Sequence, residues 1–174
     1  MKYTPNSGYI FYMISKNYFW GCAVLGMHDA IVSTTGLVVG LVFADAHQYV
    51  ILLTGVIAAV AAGLSMTASE YLANRAADTS DIALRCGIAT GVSYVFTAAM
   101  ILMPFVFVTN SFVAMGLSYF VAVSIIFFFN YVKSRLSHTK FWPSFLEMFF
   151  ICFGVTLVAF LIGEGAKLFL GIEI

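Results

Sequence analysis

Hydrophobic residues fill this chain in blocks long enough to cross a bilayer, parted by short polar stretches. The first block runs from about Tyr18 to Ala44 and ends in a polar turn, Asp45-Ala46-His47-Gln48; the second runs from about Tyr49 to Ala73. A polar connection, Asn74 to Arg85, follows, with Asp78, Thr79 and Ser80 available to cap the next helix. From Cys86 to Val132 there is no charged residue, and one helix of that length would reach about 70 Å, more than twice the hydrocarbon thickness. The segment must therefore fold back, and Thr109-Asn110 is the natural turn. This gives a third span over about 86–108, in which Pro104 introduces a kink, and a fourth over about 111–132. After a basic loop, Lys133 to Lys140, a fifth span covers about 143–169. The pattern predicts an all-α integral membrane protein with five transmembrane helices, spans at about 18–44, 49–73, 86–108, 111–132 and 143–169, in a single membrane domain, residues 1–174.

Composition agrees. The chain is 62% hydrophobic and only 9% charged, with a mean hydropathy of +1.01, well outside the range of soluble globular domains. Five spans in 174 residues leave no room for a soluble domain of ordinary size. Zero formal net charge and the lack of a dense basic cluster argue against nucleic acid as a partner. Cys22, Cys86 and Cys152 are widely spaced in or beside apolar runs, which is the pattern of packed free thiols. No cleavable signal is apparent near Lys2, so the amino terminus is expected to remain. The aromatic patch Tyr9 to Ile14 suits either the headgroup layer or a loose tail.

Positive charges set the orientation. Lys2, Lys16, Arg75, Arg85, Lys133, Arg135 and Lys140 fall on one side of a five-span chain and Lys167 alone near the other. The amino terminus is therefore expected in the cytoplasm, with Asp45, His47, Asn110 and the carboxyl end outside or in a lumen.

Against this apolar background a few polar residues stand out. Asp29 lies about 15 Å along the first span, near the middle of a hydrocarbon core about 30 Å thick. A carboxylate at that depth marks a site facing a partner, a cation or a water-filled path, or else is a protonated acid hydrogen-bonded to a neighbouring helix. On the second span Met66 and Glu70 are four apart and share a helix face. A soft sulfur and a hard oxygen along one path suit Fe²⁺, Mn²⁺, Co²⁺ or Zn²⁺ better than Mg²⁺ or Ca²⁺. Taken singly, Met66 also reads as a gap-filling side chain and Glu70 as a hydrated interfacial acid. Ser33, one turn beyond Asp29, continues a polar stripe toward Asp45 and His47, although such hydroxyls also bond back to their own helix. His28 points about 100° away from Asp29, to titrate or to bond a neighbouring helix.

The first-span stretch GMHDAIVSTTGLVVG and the second-span stretch AAGLSMTASEYLANRA together resemble the vacuolar iron transporter family, whose first span carries a G-x-x-D-G-like motif and whose second ends in S-M-x-x-x-E-Y. The Pro-containing third span and the closing TLVAFLIGEGAKLFLG are similar too. The resemblance implies a homodimer built through the first span, with Asp29, Met66 and Glu70 lining a metal path between protomers. It implies export of Fe²⁺ or Mn²⁺ from the cytosol in exchange for protons, with the ion as substrate and no cofactor. The membrane would be a bacterial inner membrane or a eukaryotic vacuolar or organelle membrane.

Two departures accompany the resemblance. Ala30 stands where the family usually has Gly, and only Asn74 to Arg85 separates the second and third spans, too short for the metal-binding helical insert of longer members. The alternative reading is a scaffold or partner subunit with the transporter fold but no flux. An enzyme is disfavoured, because His28, His47 and His138 fall on different segments and form no catalytic cluster.

Overall fold

The structure, a computed structural model, describes residues 7–77, 80–137 and 140–170, with side chains described over 19–77, 82–135 and 140–169. The caps expected from Asp78, Thr79 and Ser80 lie outside this description, as do Lys2, His138 and the side chains of Lys16 and the Tyr9–Ile14 patch.

Among the described residues six helices follow one another: α1 (Ser7–Phe43), α2 (Gln48–Ala76), α3 (Ser80–Leu102), α4 (Pro104–Phe107), α5 (Ser111–Ser137) and α6 (Phe141–Leu170). Five stretches of the described residues are long and apolar enough to cross a membrane: Phe19–Phe43, Gln48–Ala76, Ile82–Phe107, Ser111–Arg135 and Phe141–Phe169. The protein is an all-α, multi-pass membrane protein, as the hydrophobic blocks predict. Its outer faces carry Phe107, Phe120, Phe128 and Leu161, all well exposed. A surface so apolar is stable against lipid tails and would drive aggregation in water.

The interruptions have local causes. Pro104 has no N–H to donate, and the third span breaks at Met103 into α3 and the single turn of α4, with Pro104 in the first turn of the new helix. Met103 itself keeps a right-handed helical backbone (φ −51°, ψ −43°), so the interruption falls within one span, at the proline where the kink is expected. Asn110 begins α5 as its cap, its Oδ1 accepting from the backbone N–H of Phe112 (3.0 Å) and Val113 (3.2 Å). At the end of α1, Asp45 takes the left-handed conformation (φ 57°). The Ala46 N–H reaches the Leu41 carbonyl at 3.0 Å and the Asp45 N–H reaches Val42 at 3.1 Å, which together close the helix in a Schellman motif. Asparagine and aspartate tolerate this conformation better than other non-glycine residues, and the Asp45 carboxylate also accepts an ion pair from Lys167. The next turn begins at His47, whose carbonyl accepts from Val50 (2.8 Å) and Ile51 (3.1 Å).

Two compact units share these helices: residues 1–29 with 60–96, and residues 30–59 with 97–174. In the second, Val38, Val42, Ala46, Ile51, Leu102, Phe105 and Ala114 form the buried cluster. There the Gln48 side-chain amide donates to the carbonyls of Phe105 and Val108, the latter at 2.8 Å. Thr35 bonds back to Ile31 at 2.6 Å and lies 3.5 Å from the buried free thiol of Cys152. The first unit holds the polar groups of greatest interest.

Candidate functional site

Close approach of helices builds this site. Gly26 on α1 faces α3 so tightly that a Cβ there would collide with the backbone oxygen of Thr90 and the Ser93 hydroxyl. Gly91 on α3 does the same toward α2, where a Cβ would overlap the Thr67 side chain and lie 2.6 Å from the Gly63 oxygen. Small residues at both seams let backbones meet, as in membrane helix packing generally. Thr90, buried between them, donates its hydroxyl to the carbonyls of Cys22 and Cys86, each at 3.0 Å. One hydroxyl proton is thus shared between a carbonyl of α1 and one of α3.

Directly beside that bridge the side chains of Cys22 and Cys86 meet. They are paired as a disulfide across Cα atoms 5.5 Å apart. The expectation of three separate packed thiols holds for Cys152 alone. Glu70 of α2 completes the group: its Oε1 lies 3.7 Å from Cys22 Sγ and 3.6 Å from Cys86 Sγ. Asn74, almost wholly buried, orients the carboxylate by donating from Nδ2 to Oε1 at 2.9 Å and to the Glu70 backbone oxygen at 2.8 Å. The reason is helical geometry, since residues four apart share a face.

The predicted residues are distributed as follows. Glu70 is half-buried and clustered with Cys22, Cys86 and Asn74. Met66, one turn away on the same helix, is half-buried. Asp29 lies at the surface of the single chain, exposed in the midst of the first span, and Leu25 one turn before it is exposed as well. His28 beside it is half-buried. Ser33, Asp45 and His47 belong to the other unit. Ser33 is exposed on α1, Asp45 closes α1 and pairs with Lys167, and His47 opens α2 with its ring stacked on Tyr49 at 5.2 Å.

Sequence reasoning missed Cys22, Cys86, Asn74 and Thr90. A signal was available. Spans one and three start on the same side of the membrane and span two ends there, so Cys22, Cys86 and Glu70 occupy one level. Their separation of 64 residues along the chain conceals this.

No curated protein matches this chain. The sequence pattern of the VIT family matches residues 21–81 and 74–164, which takes in the glycine seams and the Cys22–Glu70–Cys86 group. That match extends over most of the 174 residues, and the chain therefore belongs to the VIT family, a family of metal ion transporters.

Proposed function

We propose that the protein moves a divalent transition metal, Fe²⁺ or Mn²⁺, out of the cytosol in exchange for protons. It acts as a homodimer joined along the first span, with its amino terminus in the cytosol and Asp29, Met66 and Glu70 of both protomers along the path. The single observation that carries this reading is the exposure of Asp29 on one chain at the middle of a span. Against lipid an exposed carboxylate at that depth is costly, whereas facing its own copy it gains a place where a cation or proton must sit. Two such carboxylates across a twofold axis repel each other, and either a divalent ion or a shared proton relieves the repulsion. Competition between the two supplies the coupling. Glu70 near the cytosolic end of α2 provides an earlier station and Met66 a softer ligand between them.

One observation favours a second reading. Only residues 77–79 separate α2 from α3, too few for a metal-gathering helical insert between them. A scaffold with the transporter fold and no flux would need no such device.

Uptake of Fe²⁺ and Mn²⁺ into proteoliposomes, with and without a pH gradient, separates the two. Flux that rises with the gradient supports exchange; folded protein that carries neither ion, beside an active transporter as control, supports the scaffold. Within the transport reading, Met66→Leu is expected to lower Fe²⁺ flux more than Mn²⁺ flux, because a thioether favours the softer ion. An unchanged ratio of the two would return Met66 to packing.

A further inference from the structure

We propose that Cys22, Cys86 and Glu70 form a metal site of their own in the reduced protein, holding one thiolate-seeking divalent cation of the Zn²⁺ and Cd²⁺ kind. The three donor atoms all lie within 4.8 Å of one another. A tetrahedral ion with bonds of about 2.3 Å to sulfur and 2.0–2.2 Å to oxygen holds those ligands about 3.6 Å apart. The Glu70 oxygen already lies 3.7 and 3.6 Å from the two sulfurs. Only the sulfurs must part, from their bonded pairing to about 3.8 Å, the separation two thiolates take on one such ion.

The surroundings are those of a held ligand set. Both cysteines are buried, so an ion held between them is screened from competing bulk water. Asn74 fixes the carboxylate through its amide, as outer-shell partners do for metal ligands. Thr90 ties the two cysteine backbones to one hydroxyl, so both ligands are positioned before any ion arrives. Two thiolates and one carboxylate leave a fourth position open and strongly favour Zn²⁺, Cd²⁺ and Co²⁺ over Mg²⁺, Ca²⁺ and Mn²⁺. The site goes beyond the transport reading, sharing only Glu70 with it, and exists whether or not ions cross the membrane.

Oxidation competes with it. A small disulfide reagent forms the Cys22–Cys86 bond by two exchanges: one cysteine thiolate breaks the reagent's S–S bond and joins one half, then the other cysteine displaces that half. The reagent leaves as two thiols carrying the two protons and two electrons, and the protein has no thiolate left at the site.

Co²⁺ titration of the detergent-solubilised full chain, reduced with a phosphine, tests this. A thiolate-to-cobalt charge-transfer band that saturates at one Co²⁺ per chain is expected, displaced by Zn²⁺ but not by Mg²⁺. Cys152→Ser should give the same band. The double variant Cys22→Ser/Cys86→Ser and the disulfide-oxidised parent should give none, and Glu70→Gln should keep the band with affinity weaker by about tenfold or more. A band that survives in the double variant, or none in a reduced, monodisperse parent with native helix content, overturns the site. Asp29→Asn should leave the band intact, so loss of flux there and loss of the band here report on different proposals.

Discussion

Asp29→Asn should fold as the parent does and carry about 10²-fold less metal into proteoliposomes. The substitution conserves the shape of the side chain, and Asp29 lies at the surface of the single chain rather than in its core. What disappears is the negative charge at the midplane. An uncompensated charge at the bilayer centre costs about 2.5–3.5 kcal/mol on insertion scales, and every 1.4 kcal/mol added to a barrier is tenfold in rate. The same change removes the group that a proton would occupy, so residual flux should no longer respond to a pH gradient. Ion flux in the variant equal to the parent's would sink the role given to Asp29, whereas equal helix content with lost flux would confirm that charge matters there.

Gly26→Val is expected to damage assembly itself. A Cβ at this position meets the Thr90 backbone oxygen, which cannot rotate aside as a side chain would. To accept valine, α1 and α3 must separate, which breaks the shared Thr90 hydrogen bonds and parts Cys22 from Cys86. Overpacking of this kind costs about 3 kcal/mol. Lower thermal stability in detergent, together with weaker Co²⁺ binding by the thiols, should follow. Parental stability in Gly26→Val would mean that the helices stand further apart than the structure has them. Gly21, where a Cβ meets nothing, serves as the matched control through Gly21→Ala.

The five spans were legible because the bilayer imposes a length and a polarity that leave little choice, and the stretch from Cys86 to Val132 could only fold back. Asn110 and Pro104 were legible for local reasons: a side-chain oxygen that caps and a ring that cannot donate. The Glu70 cluster was not legible. Pairing of helices in a membrane is settled by small residues and shape rather than by a hydrophobic stripe, so the sequence carries no period that says α1 meets α3 at Gly26. The cysteines compounded this, since each alone resembles an ordinary buried thiol. Of Asp45 and His47 the sequence made the polar character legible and not the local geometry. They look chemically promising in the sequence, and the structure places them in the turn between α1 and α2, one in a left-handed helix stop paired with Lys167 and the other opening the next helix.

The threonine bridge has a mechanical meaning. A carrier must open its site first to one side and then to the other, which requires some of its parts to slide or rock. Where Thr90 holds two carbonyls on one hydroxyl and Gly26 lets the backbones touch, α1 and α3 cannot shear past each other without breaking both. That stretch of the two helices travels as a single lever, and the play needed for alternation must be found elsewhere; in the proposed homodimer the seam between the two copies is the natural fulcrum.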